Sequence, residues 1–561
     1  MSGSRPVDLV ADRYVAESIE RYPELATSLG APGHDHEWSD YSPAGLDAQL
    51  DHLRSTLAAL RAAEPCDDRE LIAREAMLER LGLDVELHES HITASRVSTV
   101  AGSVQGLINI IDLMPDDSNE AWSSIAERLR TVDRPLREIA ETLAHEADAG
   151  HVSAVRQIEA TVEQIRAWTG QRGDDDYFEA LHQRVPAELA DRVGPELSAA
   201  GTRARAAFGE FADWLSRELA PRAPHVDAVG REQYALESRY FLGAVIDLDD
   251  TYRWGFAELH RLQEEQRAIA RSLTGSTAIA AACAALDADP ARLIAGPEAF
   301  RDWMQQLADR VVAELDGVHF DIAPQIRTIE CCIAPTHEGG VYYTGPTEDF
   351  SRPGRMWWSV PVGIDVFSTW KETTTVFHEG VPGHHLQIGQ NAVHSDLLNR
   401  WQRQLAFVSG HGEGWALYAE RLMDDLGYLA DPGDRMGMLD AQAFRAARVV
   451  IDIGMHLQLE IPRDNPMGFH PGEIWTPDLG YEFLRASTAL HEPTLRFEID
   501  RYLGWPGQAP SYKVGERIWL EARDAMRARQ GASFDLRRFH AQALGLGSLG
   551  LDPLRAALDR L

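Results

Sequence analysis

The sequence predicts a mainly α fold: a large multi-helix body of two lobes around a cleft, with a small β-sheet next to its most distinctive motif. Three observations lead there. Apolar residues recur at helical spacing through nearly all of residues 8–275, as in Phe208, Phe211, Leu215 and Leu219, or Tyr252, Phe256 and Leu259. Between 318 and 362 the texture changes to short β-branched and aromatic runs bounded by Gly and Pro. After 365 the helical pattern returns.

Taken in order, helices are expected at 44–63, 68–92, 118–148, 153–169 and 193–220. Strands follow at 329–334, 341–344 and 356–362, and then helices at 369–380, 384–394, 398–408, 412–426, 436–459, 478–490 and 511–530. This divides the chain into an N-terminal helical lobe, 1–317, and a lobe of sheet and helices, 318–561, or joins both in one continuous domain.

Composition narrows the function. Of 561 residues, 54 are Lys or Arg and 88 are Asp or Glu, a net charge of −34. Nucleic acid is excluded as a partner, because binding phosphates needs a basic surface, and an anionic membrane is disfavoured. No apolar run of about 20 residues exists to span a bilayer. The four cysteines show no Cys-x-x-Cys spacing, which fits a reducing compartment. With no leader-like N-terminus, the expected location is cytoplasmic.

The chemistry concentrates in Phe377-His-Glu-Gly-Val-Pro-Gly-His-His385, followed by Gly412-Glu-Gly-Trp415. Zinc takes His nitrogens and carboxylate oxygens and leaves one position for water in catalytic sites. A His-Glu pair with a later His supplies two ligands and a general base. Thr369 and Glu372 read as a capping box that starts a helix running into His378. In unbroken helix His385 would stand about 10 Å along the axis from His378 at 1.5 Å per residue, too far to share an ion. Pro382 removes a helical hydrogen bond, and Gly380 and Gly383 permit unusual dihedrals, so non-helical backbone is expected within 380–383. The ligands are then His378, His384 or His385, and Glu413, around one zinc ion per chain. Glu379 is the base, and Glu420, seven residues beyond Glu413, is a second carboxylate beside the ligands or a solvated charge. His337-Glu338 has no following His and reads as a surface turn.

The stretch Thr375-Val-Phe-His-Glu-Gly-Val-Pro-Gly-His-His-Leu-Gln387 resembles the signature of the bacterial domain-of-unknown-function family 885. Further matches are Glu413-Gly-Trp-Ala-Leu-Tyr-Ala-Glu420, Arg448-Val-Val-Ile-Asp-Ile-Gly-Met-His456 and the run from Arg501 to Gly515. That family is similar to the helical gluzincin zinc peptidases, which include thimet oligopeptidase, Taq-type carboxypeptidases and angiotensin-converting enzyme. The resemblance implies that Gly383-His384 matches the gluzincin Gly-His, making His384 the second ligand, and that Glu413 is the third. The interval before Gly-His is longer than in gluzincins, which keeps His385 as the alternative.

Around the metal, Tyr512 is assigned as the donor to the developing oxyanion. Arg501 and Lys513 are assigned to a substrate carboxylate. Arg448, Asp452 and His456 share a helix face at i, i+4 and i+8, either as structural pairs or as a cleft face with His456 on substrate. The strand before the motif, with Tyr342, would hold an extended substrate. Together these give a zinc metallopeptidase acting on short peptides. The alternatives are the same chemistry on a non-peptide amide or ester, and a metal- or peptide-binding protein without catalysis.

Overall fold

The structure, a computed structural model, describes residues 5–173, 176–334, 340–360 and 363–560. It is 68% helical, with only small sheets. The expected turn at His337-Glu338 and the end of the strand expected at 356–362 lie outside the described residues.

Two compact units emerge. One comprises Met1–Cys66, Met77–Val229 and Phe497–Trp505; the other Asp67–Ala76, Gly230–Arg496 and Pro506–Leu561. The division therefore falls at 229/230 and not at 317. Helix Leu248–Thr274 belongs with the later chain because Gly255 lets it approach helix Pro432–Leu457, where a Cβ would meet Val450 at 2.9 Å.

Among the described residues, the regular structure of the first unit is helical. Its apolar stripe Phe208, Phe211, Leu215 and Leu219 is buried as its spacing predicts, each such side chain stabilising the fold by about 1.5–3 kcal/mol. The helix expected over 118–148 is two, Asn119–Thr131 and Asp133–Asp148, with Pro135 in the first turn of the second, where its missing amide costs nothing. Arg128 is fully buried, and its guanidinium donates to the carbonyls of Pro23, His34 and Glu37.

The second unit carries both sheets. Strands β1 (Leu293–Ala295) and β5 (Val366–Ser368) pair antiparallel. Strands β2 (Ile329–Ile333), β3 (Val341–Thr344) and β4 (Gly354–Trp358) form a sheet ordered β2-β4-β3, parallel between β2 and β4 and antiparallel between β3 and β4. Strand β5 leads directly into helix Thr369–Glu379. Two close crossings fix the helices around it. Gly437 of helix Pro432–Leu457 lies against the Trp370 carbonyl, where a Cβ would stand 1.8 Å from the oxygen. Gly410 and Gly414 of helix Ser409–Asp425 face Gly515 of helix Ser511–Gln530, where an added Cβ at 414 would stand 2.4 Å from the Gly515 carbonyl carbon.

That last contact is backbone on backbone, so a methyl group there must push the helices apart. Gly414→Ala is expected to destabilise by about 1–3 kcal/mol, read as a lower urea midpoint. Gly82→Ala, on an uncrowded helix position, serves as control and should be neutral or stabilising. Equal midpoints for the two variants would contradict the close crossing.

Candidate metal centre

Helix Thr369–Glu379 starts at the expected residue but by other means. Ser368 is its N-cap and makes no side-chain capping bond. Glu372 is drawn inward and accepts the Trp358 indole N–H at 3.0 Å, so the anticipated capping box is not formed. Lys371 pairs with Asp287 at 3.0 Å and lies over the Trp370 ring.

The helix stops at Glu379 and a new one begins at His384, Gly380–Gly383 being non-helical between them. Gly380 (φ −93°, ψ −129°) and Gly383 (φ −77°, ψ −130°) make the turn, and the Val381–Pro382 peptide is cis. The Gly383 amide donates to the Phe377 carbonyl at 3.1 Å, and the His385 amide to Gly380 at 3.1 Å. A Cβ at 383 would stand 1.9 Å from the His378 carbonyl oxygen, so only glycine fits. From the neighbouring helix the Trp415 indole donates to the Pro382 carbonyl at 2.8 Å and holds the loop in place.

This folding-back brings His384 onto His378, the ring centroids 4.8 Å apart and the planes at 90°. Glu413 closes the group. Its Oε2 lies 3.3 Å from His378 Nε2 and 3.4 Å from His384 Nε2. A tetrahedral ion with bonds of about 2.0–2.1 Å separates its ligand atoms by about 3.4 Å, so the spacing is that of a metal site. Glu413 Oε2, His384 Nδ1 and Glu379 Oε2 are all buried without a hydrogen-bond partner among the described residues, a costly arrangement unless a cation offsets it. Behind this group, His378 Nδ1 meets Glu420 Oε1 at 2.7 Å, and Thr374 donates to Glu420 Oε2 at 3.0 Å. A carboxylate behind a ligating imidazole fixes its tautomer and orientation. These residues fit zinc.

The electrostatics follow from crowding. Burial lowers the His378 pKa, but the Glu413 and Glu420 carboxylates outweigh it and hold the imidazole at about 9. Burial raises that of Glu413, while the charges of His384 and His378 pull it well below the usual carboxylate range. Glu420 is also held low: burial is outweighed by the Arg445 charge and by His378. Glu379 goes the other way, raised by burial that the two imidazoles only partly oppose.

A second cluster, His91, Glu146 and His151, sets off the first. Its two rings stack at 4.1 Å with planes 7° apart. Imidazole lone pairs lie in the ring plane, and near-parallel planes do not meet at one ion. The perpendicular pair at 378 and 384 instead brings both Nε2 atoms to within 3.3–3.4 Å of one Glu413 oxygen.

The other expected site residues separate. Tyr512 is at the centre: its ring lies 6.5 Å from that of His378, nearly parallel, with the Arg448 guanidinium 4.1 Å over its face. His385 is not a ligand. Its Nε2 donates to the Ile326 carbonyl at 2.7 Å, its Nδ1 takes the Tyr343 hydroxyl at 3.0 Å, and burial drives its pKa down to about 4. Tyr342 stands on the other face of β3, 38% exposed and stacked on Trp357, so the inward residue of the strand is Tyr343. Lys513 is buried between Glu258, at 3.0 Å, and Glu516, and Arg501 pairs with Glu498 at 2.7 Å. Both cations are neutralised within the protein and are not carboxylate receptors. His456 is wholly buried against Asp452 and the Tyr234 ring, with Asp452 accepting from the Tyr234 hydroxyl and the Gly507 amide, whereas Arg448 of the same face reaches Tyr512. Arg445, half-buried and 5.8 Å over the Tyr512 ring, was not singled out from sequence. Its spacing of three from Arg448 on one helix was the available signal.

Comparison with known proteins gives a family and a fold. The model of the family described as "Bacterial protein of unknown function (DUF885)" matches residues 23–558. A crystal structure of a candidate lipoprotein from Colwellia psychrerythraea superposes with a TM-score of 0.85 at 21% identity, covering 98% of each chain. The structure of a candidate lipoprotein of unknown function from Shewanella oneidensis gives 0.72 at 16% identity, covering 99% of each. At such identities the likeness concerns the fold. Curated proteins return no match. Among the described residues no single helix is long and apolar enough to cross a membrane.

The geometry distinguishes the adjacent histidines. His384→Ala is expected to abolish stoichiometric zinc binding, measured by elemental analysis after dialysis, whereas His385→Ala keeps most of the metal and loses stability through its two broken hydrogen bonds. Zinc retained by the first variant and lost by the second would reverse the assignment.

Proposed function

The chain belongs to the DUF885 family of bacterial proteins, and we propose that within it this protein is a zinc-dependent metallopeptidase of the helical gluzincin type, acting on short peptides. The observation that carries the reading is the triangle of His378, His384 and Glu413 atoms, with Glu379 as the residue directly after the first ligand. His378 Nε2, His384 Nε2 and a Glu413 oxygen would hold one zinc ion. When bound, zinc supplies Lewis acidity toward a carbonyl oxygen and lowers the pKa of water.

The protein's own groups supply the rest. Glu379 is buried, and its Oε2 accepts no hydrogen bond among the described residues, so that oxygen is available to take a proton from the attacking water and return it to the leaving amine. Its pKa, raised by burial, brings a carboxylate closer to neutrality, where a general base works best. Glu420 holds the His378 tautomer through Nδ1. Tyr512, beside His378, is the donor to the oxyanion, an interaction that strengthens as charge develops. Strand β3, at the edge of its sheet, offers main-chain groups to an extended peptide.

Glu379→Gln is expected to keep about one zinc per chain and lose hydrolysis of a short-peptide mixture by about 10²–10⁴-fold. Full activity in that variant would overturn the reading. Loss of zinc equal to that of His378→Ala would make Glu379 a ligand. Tyr512→Phe should lower kcat with little change in KM, as for a contact made in the transition state. An unchanged kcat removes Tyr512 from the chemistry.

A further inference from the structure

Arg445 differs from the other cations of this region. The chain has 88 acidic and 54 basic side chains, and Arg435, on the same helix as Arg445, pairs with Asp424 at 3.0 Å. Lys513 and Arg501 are consumed in the same way. Among the described residues, no carboxylate lies within ion-pairing distance of Arg445. Its one hydrogen bond is a long contact of 3.3 Å from Nη1 to the Ala441 carbonyl of its own helix, and its Nε is buried without a partner. Yet it stands at the metal centre, over the Tyr512 ring at 5.8 Å, with its charge acting on both Glu379 and Glu420. Arg448 on the same helix is 2% exposed, whereas Arg445 is only half-buried.

We infer that Arg445 is the receptor for a substrate carboxylate and sets the preference of the site for peptides that carry a free carboxylate next to the bond presented to the metal. An arginine fork binds a carboxylate through two parallel N–H donors, stronger and more directional than neutral hydrogen bonds. A chain of net charge −34 otherwise repels anionic peptides, and a guanidinium held in no ion pair among the described residues is the local feature that opposes that repulsion. The carboxylate can come from the peptide C-terminus or from an acidic side chain, and both present the same planar group. The metallopeptidase reading supplies only the position of the scissile bond; the recognition of the anion rests on Arg445 itself.

The test is calorimetric binding to zinc-treated Glu379→Gln protein, which avoids turnover. The probes are trialanine as free acid, trialanine amide, and a tripeptide amide with a central aspartate. A carboxylate-bearing probe should bind about tenfold or more tightly than trialanine amide. Which probe gains identifies the source of the carboxylate. Arg445→Gln, close in length, should reduce that ratio to about one while zinc content and unfolding midpoint hold, and Arg445→Lys should recover part of it. A merely structural Arg445 would leave the acid-to-amide ratio unmoved. Equal binding of all three probes, undetectable binding of both acids, or a ratio that survives Arg445→Gln overturns the proposal. An Arg445-dependent ratio in protein that takes up no zinc sinks the metallopeptidase reading and upholds the anion receptor.

Discussion

Two imidazoles six residues apart can face one point only if the chain abandons the helix between them, and the rest of the site depends on how it does so. Gly383 passes so close to the His378 carbonyl that no side chain fits, and amide bonds from Gly383 to Phe377 and from His385 to Gly380 tie the two helices end to end. Once the turn is made, His384 stands perpendicular to His378. Trp415 holds the turn from the next helix, and Glu413, two residues before Trp415, meets both imidazoles from that same helix. The glycine crossing with helix Ser511–Gln530 sets the spacing between Glu413 and Tyr512. His378, His384 and Glu413, the turn between the helices and Tyr512 are thus parts of one packing arrangement.

What the sequence disclosed and what it withheld divide along a physical line. Gly380, Pro382 and Gly383 announce a break because they act on their own backbone, and the break is where they stand. Glu420 was legible as a partner because seven residues bring it onto the Glu413 face of the helix. The motif match favoured His384, but residue spacing left His385 open, since the partners that occupy His385 are Tyr343 and Ile326, 42 and 59 residues away. Tyr342 and Tyr343 differ by one position in a strand, and one position exchanges the faces. Arg501 and Lys513 were different: each has a carboxylate three residues away on its own helix, Glu498 and Glu516, and that spacing can be read directly. The boundary at 229/230 was hidden because helices on both sides have the same amphipathic pattern, and only packing partners tell them apart.

Charge ties the centre together. Glu413 and Glu420 raise the affinity of His378 for a proton, and the imidazoles in turn favour carboxylates that burial would otherwise penalise. A metal ion bound there, as proposed, would take the place of such a proton, and carboxylates already gathered lower the cost of binding it. The most direct measurement of the central claim is X-ray absorption at the zinc edge of zinc-loaded protein. The account predicts two imidazole nitrogens and one carboxylate oxygen at about 2.0–2.2 Å, and no stoichiometric zinc signal in His378→Ala. A sulfur ligand, or an imidazole count that His378→Ala leaves unchanged, would contradict it.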